Sequence, residues 1–164
     1  MPPRDARTMS DDTPFSHLDA AGNARMVDVS DKPVTRRVAA ASCRVQLAAA
    51  TVARLGAMPK GDALAVARLA GIQGAKATST LVPLAHPLPI DQVEVELRPE
   101  GDGVFVRSRV VVTARTGAEM EALTACAAAA LALYDMVKAV DRGAVIGELR
   151  LESKSGGRSG DWSR

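Results

Sequence analysis

GAEMEALTACAAAALALYDMVKAVD, residues 117–141, is the stretch whose reading decides the fold. Its alanines and leucines predict one helix of about six turns. Glu119 and Glu121 stand in the first turn and Lys138 in the last, which suits the helix dipole. Asp135 and Lys138 are three positions apart and share a face. Glu121 and Asp135 also lie near one face, but ~21 Å apart along the axis. One small substrate cannot reach both ends of a straight helix. The charged ends therefore serve two sites, or one site completed by a second chain. The alanine face (Ala122, Ala125, Ala129, Ala132) permits close packing, and a symmetric oligomer follows naturally from this geometry.

Outward from this helix, 164 residues are enough for one domain with a real core. Aromatics make up 2% of a chain that is 47% hydrophobic, so the core must come from Ala, Val and Leu. A net charge of +2 is too balanced for nucleic acid as the main partner, and stacking platforms for bases are absent. Cys43 and Cys126 have no metal-ligand spacing and read as buried thiols of a reducing compartment, both inside predicted helices. The apolar run 122–137 is too short to span a membrane, and the N-terminus lacks an apolar signal region; a cytoplasmic location is expected. Residues 1–14 read as a disordered tail and 15–162 as a single domain.

Along the chain, Met26–Ser30 alternates as a short strand. Pro33 opens a predicted helix, Val34–Leu55. A second helix is expected over 62–76, with Asp62 as its N-cap. Gly71 and Gly74 weaken that helix and imply close packing. Residues 81–90 hold three prolines and form a stiff, extended loop. Val93, Val95 and Leu97 alternate with Glu94 and Glu96, a strand that a turn at 98–103 returns as Val104–Arg115. Ala144–Lys154 is the last strand. The order β, α, α, β, β, α, β becomes βαββαβ on removal of one helix: an α+β, ferredoxin-like antiparallel sheet with an extra helix and one face left for a partner.

Four places join special backbone to ionisable groups. Lys60, before a helix N-terminus, fits a solvated loop lysine or an anion site. His86 sits between prolines that fix its ring cheaply, although a lone histidine also fits a structural role, as His17 does. The third place is the long helix. The fourth, Lys154–Gly160, is either a flexible tail or a phosphate contact with Lys154 and Arg158 as cations. GIQGAKAT (71–78) has the wrong spacing and setting for a P-loop. There is no Ser-His-Asp elbow, and two histidines without a cysteine cluster argue against zinc.

Six blocks occur in order: Met26–Lys32, Pro59–Lys76, Leu84–Leu88, Gly117–Ala125, Tyr134–Val140 and Lys154–Asp161. Together they resemble the MoaC family, the cyclic pyranopterin monophosphate synthases of molybdenum cofactor biosynthesis, over residues 15–162. The resemblance implies a ferredoxin-like fold and a nucleotide-derived substrate, 3′,8-cyclo-dihydro-GTP, converted to cyclic pyranopterin monophosphate and diphosphate. It implies a lyase that works as a homohexamer, a trimer of dimers with sites at the dimer interface. The proton transfers and phosphate closure require no redox cofactor and no bound metal, with room for a divalent ion that accompanies the triphosphate. On this chain the resemblance places Asp135, Lys60 and Lys138 as the catalytic set. Leu84, Ala85, His86, Met120 and Glu121 become substrate contacts, with Glu119 beside them and Arg36, Lys154 and Arg158 as further basic residues. Two departures stand out. Ala85 occupies a position where many relatives carry Cys, so no thiol is supplied there. Arg115 precedes Thr116-Gly117 where a lysine is frequent, and the charge is retained. The rival class is a non-enzymatic nucleotide-binding module, which would not need the full ionisable set.

Overall fold

The structure, a computed structural model, describes residues 17–19 and 21–164. The predicted tail, 1–14, lies outside the described residues. Five strands form one antiparallel sheet in the order β2-β3-β1-β4-β5. They are β1 (Thr35–Gln46), β2 (Ile90–Glu100), β3 (Gly103–Ala114), β4 (Val145–Ser155) and β5 (Trp162–Ser163). Two main helices, α2 (Ala63–Lys76) and α4 (Glu119–Val137), cover one face. Short helices α1 (Ala49–Val52) and α3 (Thr78–Leu81) fill connections. Taken in sequence, β1-α2-β2-β3-α4-β4 is βαββαβ, with the strand order of the ferredoxin-like fold.

The pattern is the expected one, but one of its strands is a correction. Val34–Leu55 is not a helix: Thr35–Gln46 is the central strand, paired with β3 on one side and β4 on the other. Ala39, Ala41, Cys43 and Val45 face the helices and are fully buried, while Ala40 and Ser42 on the opposite face are buried too. Small or apolar residues on both faces erase the period-2 signal of a half-buried strand. Sheet pairing then overrides the helix propensity of alanine. Cys43 accordingly belongs to a strand and Cys126 to a helix; both are buried and free. The predicted strand Met26–Ser30 is also corrected, since it pairs with no neighbour.

α2 begins as expected. Asp62 caps it by accepting from the amides of Leu64 and Ala65, both at 3.0 Å. α2 runs antiparallel to α4 and very close to it. A Cβ on Gly74 would stand 2.5 Å from the Ala128 Cβ, and one on Gly71 3.0 Å from the Ala125 carbonyl oxygen. α4 is long and apolar enough to cross a membrane. Here its buried stripe (Ala122, Ala125, Ala129, Leu133, Val137) lies against the sheet, as a core helix does. The sheet's open face is charged, with Arg44 bridging Glu100 at 2.5 Å and Asp102 at 2.6 Å.

Candidate active site

Two separate constellations form at the two ends of α4. At its N-terminal end a cleft of about 380 Å³ is walled by Leu84, Ala85, His86, Glu119, Met120, Glu121 and Arg158, joined by Val27, Val29 and Lys32. The 82–89 loop beside the helix end is not extended throughout, a departure from the expectation for 81–90: Pro83 lies in a turn that the Ala85 amide closes on the Val82 carbonyl at 3.0 Å, and Pro87 and Pro89 stiffen the stretch that follows. Glu119 and Glu121 sit in the first turn of α4, where a carboxylate suits the dipole. Their surroundings differ sharply. Glu119 accepts from Lys154 Nζ at 3.0 Å and is partly exposed. Glu121 is 3% exposed. Burial, helped by the Glu119 charge, pushes its carboxyl up to about 7.

A second chamber of about 380 Å³ shares Lys32, Thr116, Gly117, Glu119 and Arg158 with the cleft and adds Arg37 and Arg115. The sequence singles out Arg36 and passes over Arg37. On a strand, neighbours point to opposite faces. Arg36 is exposed and lines neither chamber, whereas the Arg37 guanidinium donates to the carbonyls of Ala114 (3.2 Å) and Arg115 (2.9 Å). Reading Thr35–Gln46 as a strand would have separated the two arginines. Lys32, Arg37, Arg115 and Arg158 have no carboxylate ion-pair partner among the described residues. These cations remain available to an anion.

At the other end of α4, Asp135 is clamped between two ammonium groups. Lys138 Nζ is 2.7 Å from Oδ1 and Lys60 Nζ 2.6 Å from Oδ2. Lys60 also donates to the Asp135 carbonyl at 3.0 Å. Lys60 reaches this point because the loop before α2 ends beside the last turn of its antiparallel neighbour. Hydrogen bonds from Lys138 and then Lys60 hold the Asp135 carboxyl down at about 2, and Lys138 is raised in return. All three side chains are half exposed and open to solvent. Such a cluster can relay protons through an ammonium while the carboxylate stays charged. Among the described residues no three His, Cys, Asp or Glu side chains gather closely enough to hold a metal ion.

The family model for the MoaC family matches residues 26–157. The chain belongs to the MoaC family. Curated relatives agree along most of its length. A cyclic pyranopterin monophosphate synthase of Streptomyces avermitilis is 56% identical over 92% of this chain and 89% of its own. The synthase of Thermomicrobium roseum is also 56% identical, over 92% and 93%. That of Dinoroseobacter shibae is 55% identical, over 89% and 95%. Both constellations fall inside the span that the MoaC family model covers, except for His17, which also lines the cleft, and Arg158, which lies one residue past the span.

Proposed function

We propose that this MoaC family chain is a cyclic pyranopterin monophosphate synthase acting on 3′,8-cyclo-7,8-dihydroguanosine 5′-triphosphate as a phosphorus–oxygen lyase. The observation that carries the reading is the Lys60–Asp135–Lys138 cluster, in a chain 55–56% identical to proteins of that name. Ring opening and rearrangement need several proton transfers; Lys60 and Lys138 can each give a proton as ammonium and take one back as the amine so formed, beside a carboxylate that stays charged. Closing the cyclic phosphate joins a sugar oxygen to the α-phosphorus. The bond to the β-phosphate breaks, the hydroxyl proton passes to a base, and diphosphate leaves. Lys32, Arg37 and Arg158, which line the cleft or the chamber beside it, would stabilise that leaving charge, and Lys154 would join them on release from Glu119.

The two ends of α4 are too far apart to meet on one substrate. The reading is therefore a dimer that brings the cleft of one chain to the lysine cluster of its partner, three such dimers forming a hexamer in the cytoplasm. Asp135→Asn and Lys60→Ala are each expected to lower diphosphate release from the cyclic nucleotide at least ~100-fold, within the range of acid–base effects. Their elution on a sizing column stays that of the parent. Turnover near the parental rate in either variant removes that residue from the catalytic set.

A further inference from the structure

Residues 24–33 run along the cleft, and Val27, Val29 and Lys32 form part of its wall. Among the described residues, every backbone–backbone hydrogen bond of 17–33 closes within the segment itself. Among the described residues, two side-chain hydrogen bonds join it to the body. His86 Nε2 donates to the Val27 carbonyl at 2.9 Å, and Arg115 Nε donates to the Lys32 carbonyl at 3.1 Å. A second open pocket, of about 470 Å³, is lined by Met26, Val29 and Val34 of this segment and its end together with Leu88 and Thr113 of the body. Met26 and Val34 are half exposed. A segment without a ladder, beside open space and held at two points, opens at low cost.

Arg115 does more than touch Lys32. Its own carbonyl accepts from Arg37, and the Arg37 guanidinium lies against the backbone of Gly157. Gly157 has φ +79°, and a Cβ there would overlap that guanidinium. Arg115 therefore ties together the 24–33 segment, the start of β1 and the glycine-rich turn after β4. These are three walls of the basic chamber.

We propose that residues 24–33 are a hinged strap along the cleft, latched by His86 and Arg115, and that Arg115 is a positioning residue acting through Lys32. Closing the strap sets the Lys32 ammonium at the phosphate end of the substrate. The inference rests on the cleft being the substrate site described above. Releasing the Arg115 latch on the Lys32 carbonyl lets the 29–32 turn fray, so exchange of the Ser30 and Lys32 amides, which bond to Asp28 and Val29 within the segment, reads it without any turnover.

The test compares exchange of peptides covering 26–32 in the parent, Arg115→Gln and Arg115→Lys. In Arg115→Gln these amides should exchange roughly fivefold faster, the population change of one net hydrogen bond, while β1 and β3 keep their protection. Arg115→Lys, which still donates, should restore much of the difference. Inorganic diphosphate should slow exchange of 26–32 in the parent more than in Arg115→Gln. In turnover, Arg115→Gln should raise KM with kcat little changed, the mark of lost uniform binding. Unchanged exchange of 26–32 in Arg115→Gln overturns the strap. Exchange that spreads into β1 and β3 also overturns it, because Arg115 then holds the sheet and not the strap. A parent that shows the strap response but releases no diphosphate from the cyclic nucleotide sinks the functional reading and leaves the strap standing.

Discussion

Glu121 and Asp135 are carboxylates of one helix in opposite electrostatic states, and environment alone separates them. Asp135, half exposed between two ammonium groups, stays ionised down to about pH 2. Its depressed value makes its contribution to stability fully present above its unfolded value and lost only as pH falls towards 2. Glu121 has the reverse sign. Its folded value, about 7, lies above the unfolded value near ~4.3, so between these the folded chain binds more protons and stability falls as pH rises. The loss by pH 8 is on the order of 3 kcal/mol. Glu121→Gln should therefore flatten the decline in Tm between pH 5 and pH 8, and equal slopes for variant and parent would refute the assignment. The sequence reveals which residues carry charge and that Glu121 begins a helix. It does not reveal that Glu121 is buried, because burial depends on the loop 82–89 and the strap, distant in sequence.

At the scale of elements, legibility follows the number of exposed faces. α2 and α4 each meet solvent on one side and are readable to within a few residues from caps, glycines and alanine content. β2 alternates cleanly because its outer face carries Glu94 and Glu96. β1 carries small, buried residues on both faces over Ala39–Cys43 and reads as a helix for that reason, and Arg37 goes unnoticed with it. Gly74 puts the helix packing to a test. Replacing it with Ala gains about 1 kcal/mol of helix propensity. The new methyl would meet the Ala128 Cβ at 2.5 Å and the Thr124 carbonyl at 3.0 Å, neither able to rotate away. Overpacking costs typically 1–3 kcal/mol, and a 2.5 Å contact with fixed atoms belongs at the upper end of that range, about 2–3 kcal/mol, so Gly74→Ala should be net destabilising by about 1–2 kcal/mol in urea titration. Gly56→Ala, with nothing within 4 Å, is the matched control and should stay within ~0.5 kcal/mol of the parent. A Gly74→Ala variant as stable as the parent would mean that α2 and α4 sit further apart.

At the scale of the whole molecule, the fold separates what the chemistry has to join. The sheet holds α4 straight, so the cleft around Glu121 and the cluster around Asp135 stay ~21 Å apart in one chain. Helix length and the position of charges make this separation legible in the sequence; the basic chamber is not, because its walls come from four distant segments. If each working site joins the cleft of one chain to the lysine cluster of its partner, then Lys60→Ala and Glu121→Gln damage different halves. Mixing the two inactive variants with subunit exchange makes half of the dimers mixed by random pairing. Each mixed dimer holds one site with both defects and one with neither. About a quarter of parental diphosphate release should return, at a total subunit concentration equal to that of the parent. A site built within a single chain gives no recovery, since every site in the mixture then keeps one defect. The size of the recovery thus measures how the two ends of α4 are paired.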